Sequence, residues 1–90
     1  MWTIETTNEF KKQAKRCLKR GRDMKKLERV IKQLETNGTV DSIYKPHKLS
    51  GNYSGLWECH IESDWLLIWK VNSGHVTIIL TSTGTHSDLF

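Results

Sequence analysis

The sequence predicts an α+β domain in which two amphipathic helices cover one face of an antiparallel sheet. Three observations predict this class. One strand-like segment opens the chain, two segments of helical periodicity follow it, and three apolar, β-branched segments come later. The chain has 90 residues, of which 37% are hydrophobic, and this is enough for one core only. We therefore expect residues 1–90 to form a single domain with the element order βααβββ.

The N-terminal half carries the first strand and both helices. Residues 2–6 alternate and are partly β-branched, which favours a strand. Thr7 or Asn8 can cap the first helix, which Gly21 ends, and Asp23 can cap a second helix that runs to Gly38. The apolar positions recur at helical spacing and are Phe10, Ala14, Cys17 and Leu18, then Met24, Leu27, Val30, Ile31 and Leu34. The two helices are expected to form a hairpin.

The C-terminal half carries three predicted strands, at residues 56–61, 65–71 and 76–81. The turns between them are short, so neighbouring strands must be antiparallel, because a parallel pair needs a crossover of about a dozen residues or more. The tail, residues 84–90, can make one last helical turn. Cys17 and Cys59 fit core positions, and two lone cysteines are not a disulfide framework.

Positive charge is concentrated in the N-terminal half. The chain has a net charge of +4, with 12 basic and 6 acidic side chains in residues 1–45 but 2 basic and 4 acidic in residues 46–90. Such a field favours a polyanion as partner, although a solvated helix face is the alternative. The predicted RNA contacts are Lys11, Lys12, Lys15, Arg16, Lys19, Arg20, Arg22, Lys25 and Lys26.

The start of the chain lacks the basic residues and apolar core of a secretion signal, and no apolar stretch approaches the roughly 20 residues of a membrane span. We therefore expect a cytoplasmic protein with no membrane partner.

Histidines are the main candidates for chemistry, because an imidazole with an ordinary pKa of about 6.5 can act as acid or base near neutral pH. The four are His47, His60, His75 and His86. Two or more at one phosphodiester suit RNA cleavage, in which a base deprotonates the ribose 2′-hydroxyl and an acid protonates the leaving 5′-oxygen. This chemistry requires no metal or cofactor. His75 follows a turn without acidic or aromatic neighbours, so we expect it to be solvated.

Asp64 follows His60 at the tight turn into the next predicted strand. Its carboxylate either orients an imidazole and favours the imidazolium, or accepts from a nearby turn amide, and the sequence leaves both roles open. The residues His60 to Glu62 match the H-x-E part of a zinc deaminase motif, but the C-x-x-C part is absent, so no metal site is expected. Among the aromatic residues, Trp65, Tyr53 and Phe90 are candidates for stacking on unpaired bases, whereas Trp57 and Trp69 fit the core.

Three ordered motifs give the sequence a family resemblance. Residues 44–49 read Y-K-P-H-K-L, residues 59–68 read C-H-I-E-S-D-W-L-L-I, and residues 83–90 read T-G-T-H-S-D-L-F. These motifs, with the basic helical hairpin before them, resemble the YafQ-like branch of the RelE/ParE toxin superfamily over nearly the whole chain. The resemblance implies a RelE-like fold and a type II toxin that cleaves mRNA in the ribosomal A site.

The resemblance also implies roles for individual residues. His86 matches the general acid, His47, His60 and Asp64 match residues of proton transfer and phosphate stabilisation, and Phe90 matches a base-contacting residue. Which residue is the general base stays open. The implied partners are a cognate antitoxin, the ribosome with its mRNA, and operator DNA through the antitoxin complex. Two alternatives remain: a non-enzymatic gyrase inhibitor like ParE, and a basic nucleic-acid-binding module without catalysis.

Overall fold

Five strands and three helices make up the structure, a computed structural model that describes residues 1–90. The elements are β1 Thr3–Thr6, α1 Asn8–Lys19, α2 Met24–Asn37, β2 His47–Lys48, β3 Leu56–Glu62, β4 Trp65–Asn72, β5 Thr77–Gly84 and α3 His86–Leu89. Short 3₁₀ turns lie at Ser42–Tyr44, Gly51–Tyr53 and Ser73–His75. None of the helices is both long and apolar enough to cross a bilayer.

The strands form one sheet in the order β1-β5-β4-β3-β2. The predicted α+β class and the antiparallel pairing of β3, β4 and β5 are confirmed. Two details differ from the prediction: β1 pairs parallel with β5, so the sheet is mixed, and the two-residue β2 pairs antiparallel with β3. Turn length constrains direction only between adjacent strands, and β1 is separated from β5 by most of the chain. Two residues are too few to show a period-two pattern.

Local side chains begin and end both long helices as expected. The Thr7 hydroxyl accepts from the amide of Phe10 at 3.0 Å, and the Asp23 carboxylate accepts from the amide of Lys25 at 3.1 Å. These bonds satisfy amides that have no partner inside the helix. Gly38 ends α2 in the left-handed region, with φ of 74°.

The core lies between the helices and one face of the sheet. Its helical part is Phe10, Cys17, Leu27, Val30 and Leu34, and its β4 part is Trp65, Leu67 and Trp69. Cys17 and Cys59 are buried and free, as predicted for core residues, and burial raises the pKa of the Cys59 thiol to about 12. The alternate β4 residues Leu66 and Ile68 are also buried but face the other side of the sheet. That second face carries the histidines.

Gly38 makes a close contact that tests the packing of α2. A Cβ at this residue would overlap the indole ring of Trp2, whereas a Cβ at Gly21, which also has positive φ, would meet nothing within 4 Å. Positive φ costs an alanine about 1–2 kcal/mol at either residue. Overpacking against Trp2 should make Gly38→Ala less stable than Gly21→Ala by at least about 1 kcal/mol. Denaturant unfolding of both variants measures this difference, and equal losses would contradict the described packing.

Candidate active site

Strand pairing brings the predicted histidines to the sheet face that the helical hairpin leaves open. His47 on β2 pairs with Glu58 on β3, and His60 pairs with Leu66 on β4. Glu58 and His60 are two residues apart, so both side chains lie on one face. On its other side Leu66 pairs with Gly84, two residues before His86. The pairing therefore lines up residues from β2, β3 and α3.

His47 and His60 lie on either side of a buried carboxylate. Glu58 Oε1 is 3.1 Å from Nε2 of His47 and 4.0 Å from Nε2 of His60, and the Glu58 side chain is only 7% exposed. The Nδ1 atoms donate to the carbonyl oxygens of Lys45 at 2.9 Å and Ser63 at 3.3 Å. These bonds turn both Nε2 atoms into the site. The ring centroids are 6.1 Å apart.

Glu58 is the site residue that the sequence analysis missed. It belongs to none of the three motifs, and a single glutamate in an apolar strand suggests no chemistry. One signal was available: Glu58 precedes His60 by two residues in a predicted strand, so alternation puts both on the same face. The contact with His47 depends on β2, which the sequence did not reveal.

Asp64 and His86 form the second half of the cluster. One carboxylate oxygen, Asp64 Oδ1, accepts from the backbone amide of His86 at 3.0 Å and from its Nδ1 at 2.8 Å. The hydrogen bond from the His86 amide has the largest effect on the pKa of Asp64, and the bond from the His86 ring has the next largest. Both hold this pKa below its ordinary value. Of the two roles left open for Asp64, the structure shows the one that orients an imidazole, and the imidazole is that of His86. The His86 ring lies 5.9 Å from that of His60, and its Nε2 is left for another group.

An aromatic pair lies beside this cluster. Phe90, the residue after α3, packs edge-to-face against Tyr53, with ring centroids 4.9 Å apart. Both remain open to solvent, at 52% and 42% exposure. Exposed aromatic faces of this kind can stack on an unpaired base.

Trp65 does not fit its predicted role in RNA contact. It is fully buried on the helix side of the sheet. Its indole Nε1 donates to Thr83 Oγ1 at 3.0 Å, and the Arg22 guanidinium lies over the ring at 5.2 Å from the centroid. No face is open to a base, so Trp65 is a core residue. The prediction relied on the proximity of Trp65 to the histidine motif. That proximity does not tell which face of the sheet the side chain occupies.

The nine basic residues predicted to contact RNA divide into two groups. Arg20 pairs with Asp88, and both Arg22 and Lys26 pair with Glu62 at 2.9 and 2.6 Å. Arg16 lies 3.6 Å from Asp88. These four connect the hairpin to the sheet and to α3, and the prediction that they contact RNA stays a prediction. The exposed members without an ion pair are Lys11, Lys12, Lys15, Lys19 and Lys25.

The fourth histidine stands apart from the cluster. His75 is exposed in the turn between β4 and β5, at the end of these strands remote from Asp64 and His86. No group of three or more His, Cys, Asp or Glu side chains is arranged to hold a metal ion.

Fold and cluster together define a small α+β protein of RelE-like architecture with imidazoles and carboxylates gathered on the open sheet face. The chain belongs to the YafQ toxin family. The family model, described as a bacterial toxin of type II toxin-antitoxin systems, matches residues 2–90. The resemblance based on three motifs is therefore confirmed.

Known relatives cover nearly the whole chain. The mRNA interferase toxin YafQ of Escherichia coli K12 is 35% identical over 88 residues, which is 97% of this chain and 94% of the relative. A structure of the E. coli DinJ–YafQ complex matches with a TM-score of 0.89 at 34% identity, covering 100% of this chain and 99% of that one. A metal-bound toxin from Helicobacter pylori matches with a TM-score of 0.91 at 38% identity, covering 100% of both chains. The predicted enzyme class agrees with the names of the E. coli relatives.

Replacement of the buried indole tests whether Trp65 is a core residue. Trp65→Phe should lower the free energy of unfolding by about 1–3 kcal/mol, because it leaves a cavity and removes the bond to Thr83. Phe90→Leu is the comparison, since that ring is half exposed, and it should change stability by less than about 0.5 kcal/mol. Denaturant unfolding measures both. A Trp65→Phe protein as stable as the wild type would contradict the core assignment.

Proposed function

We propose that this chain is a ribosome-dependent endoribonuclease that cleaves mRNA in the ribosomal A site and so inhibits translation. One observation carries the proposal: His47, His60 and His86, from three separate motifs, lie in a row on one face, with neighbouring rings about 6 Å apart. Membership of the YafQ family and the name mRNA interferase of its E. coli relatives support it.

His86 acts as the general acid. Asp64 binds its Nδ1 proton and thereby directs Nε2 outward, where a proton can pass to the leaving 5′-oxygen. Asp64 is therefore the partner that orients the acid.

The His47, Glu58 and His60 group supplies the general base and stabilises the charged phosphorane. Both nitrogens of His47 lie near oxygen atoms, Nδ1 at 2.9 Å from the Lys45 carbonyl and Nε2 at 3.1 Å from Glu58, so the ring has a fixed direction. A proton donor held in this way suits a phosphate oxygen. His60 lies between His47 and His86, within reach of the same phosphodiester. No step requires a cofactor.

RNA and the ribosome are bound through two further surfaces. Phe90 and Tyr53 contact an unpaired base next to the scissile phosphate. The unpaired lysines of α1 and of the start of α2 contact ribosomal phosphates, since each neutralised phosphate releases counterions and strengthens binding. Added salt should weaken this contact.

A cognate antitoxin is the proposed protein partner. The E. coli relative has been crystallised with DinJ in a toxin-antitoxin complex, which supports this proposal. A +4 chain with a basic hairpin attracts an acidic, partly disordered segment that folds on binding. We place the protein in the cytoplasm, where the ribosome and the antitoxin are, with operator DNA bound through the antitoxin complex.

The two alternative functions would not need the histidine cluster. A gyrase inhibitor of the ParE kind acts by protein contact, and a basic binding module acts by charge alone. Neither needs three imidazoles and two carboxylates on one face. Retention of toxicity after loss of His86 would favour either of them over the nuclease.

Removal of one imidazole tests the proposal, with His75 as the matched control. His86→Ala should slow single-turnover cleavage of ribosome-bound mRNA by about 10²- to 10⁴-fold, because a positioned acid contributes chiefly in the transition state. Ribosome binding should change little. His75→Ala should cleave at the wild-type rate, since His75 is far from the cluster.

Saturating toxin in this assay separates the chemical step from association. Wild-type cleavage by His86→Ala would contradict the acid assignment. An equal loss in His75→Ala would show that the assay reports folding rather than chemistry at the cluster.

A further inference from the structure

We infer that Asp88 is a positioning residue: with Arg20, the C-cap residue of α1, it fastens α3 to the end of that helix and thereby holds His86 in place for catalysis. This inference rests on the proposed nuclease function. It gives Arg20 a role in the same positioning contact, in place of a contact with RNA.

α3 needs such a positioning contact because the helix is very short. The helix has four residues, His86–Leu89. Isolated helices shorter than about 12–15 residues are marginal in water, because nucleation fixes several dihedrals for one hydrogen bond. The orientation of the His86 backbone must therefore come from contacts outside the helix.

Asp88 uses both carboxylate oxygens, in a local bond to its own N-cap residue Thr85 and in an external pair with Arg20. Oδ2 accepts from Arg20 Nη1 at 2.6 Å and from the amide of Thr85 at 3.0 Å, and Oδ1 accepts from Arg20 Nη2 at 3.2 Å. The two guanidinium bonds form a bidentate pair, the strongest geometry for such a contact. Arg16 adds a second cation at 3.6 Å from Oδ1. The arginine is 68 residues from Asp88 along the chain, so the pair fixes a tertiary contact.

The carboxylate is enclosed rather than solvated. Its side chain is only 12% exposed, whereas Arg20 is 46% exposed. Gly84 allows this enclosure, since a Cβ there would lie 2.9 Å from Oδ2 of Asp88. The bond from the Arg20 guanidinium has the largest effect on the pKa of Asp88, and the bond from the Thr85 amide has the next largest. Both hold this pKa far below its ordinary value. The pair is thus ionised throughout the physiological range.

The short helix is consequently held at two places. Asp64 binds the amide and ring of His86 from the β3–β4 turn, and Asp88 binds α1 two residues further on. Loss of the Arg20 pair leaves α3 held by the Asp64 bonds, by its Thr85 cap and by the packing of Phe90 on Tyr53. The connection to the end of α1 is then gone, so the His86 ring is less fixed in direction. A misplacement of about 1 Å can cost about 10²-fold in rate.

A double-mutant cycle on Arg20 and Asp88 tests the inference. Asp88→Asn keeps an oxygen for the Thr85 amide but removes the charge, and Arg20→Gln removes only the partner on α1. Each should lower the single-turnover cleavage rate by at least about tenfold at saturating toxin. The double variant should be no slower than the slower single variant, because both changes break one contact. Glu35→Gln is the control, since it breaks the remote 3.1 Å pair with Lys32 and should cleave normally.

The pKa of Asp64 provides a readout that does not depend on cleavage. The amide and ring of His86 lower this pKa, so displacement of α3 should raise it toward the ordinary value of about 3.9. A carbon-detected NMR titration of the Asp64 carboxyl should show this rise in Arg20→Gln and in Asp88→Asn, but not in Glu35→Gln. If the wild type fails to cleave mRNA, the proposed function is wrong, and the titration still decides the role of Asp88.

Two results would overturn the inference. In one, Arg20→Gln raises only the toxin concentration needed for half-maximal cleavage and leaves the saturated rate unchanged, which identifies Arg20 as a phosphate contact. In the other, the Asp64 pKa is unchanged in both single variants, which shows that α3 keeps its position without the pair.

Discussion

The register of β3, β4 and β5 is the constraint on which the rest of the structure depends. Leu66 is paired with His60 on one side and with Gly84 on the other. This alignment brings α3, which follows Gly84, against the β3–β4 turn that contains Asp64. A shift of one residue would turn His60 toward the hairpin and separate His86 from its carboxylate. Side-chain size opposes such a shift, because the large Trp65 and Trp69 on the hairpin face would exchange sides with the smaller Leu66 and Ile68.

Charge has two separate uses in this small chain. Arg20, Arg22 and Lys26 pair with carboxylates of α3 and β3, so they stabilise the arrangement of the hairpin around the site. The exposed lysines of α1 have no ion-pair partner within the chain. A count of basic residues does not distinguish these two groups, so it overstates the number of cations without an internal partner.

Local features were predictable from the sequence, whereas tertiary contacts were not. Helix caps, strand segments and the chemical character of His47, His60, Asp64 and His86 are encoded by neighbouring residues or by motifs. The parallel pairing of β1, the contact of Glu58 with His47 and the burial of Trp65 arise between segments far apart in the chain. The sequence showed that Asp64 had two available roles, and only the fold identified His86 as its partner.

The most direct test of the central claim concerns the ribose of the RNA. If the imidazoles activate a 2′-hydroxyl as nucleophile, an mRNA with one 2′-deoxynucleotide 5′ of the scissile phosphate should not be cut at that site. The matched all-ribose mRNA should be cut there and should leave a 2′,3′-cyclic phosphate as the first product. Both messages should occupy the ribosome equally. Cleavage of the deoxy message at the same site and rate would contradict the account, because the attacking group would then have to be something other than the 2′-hydroxyl.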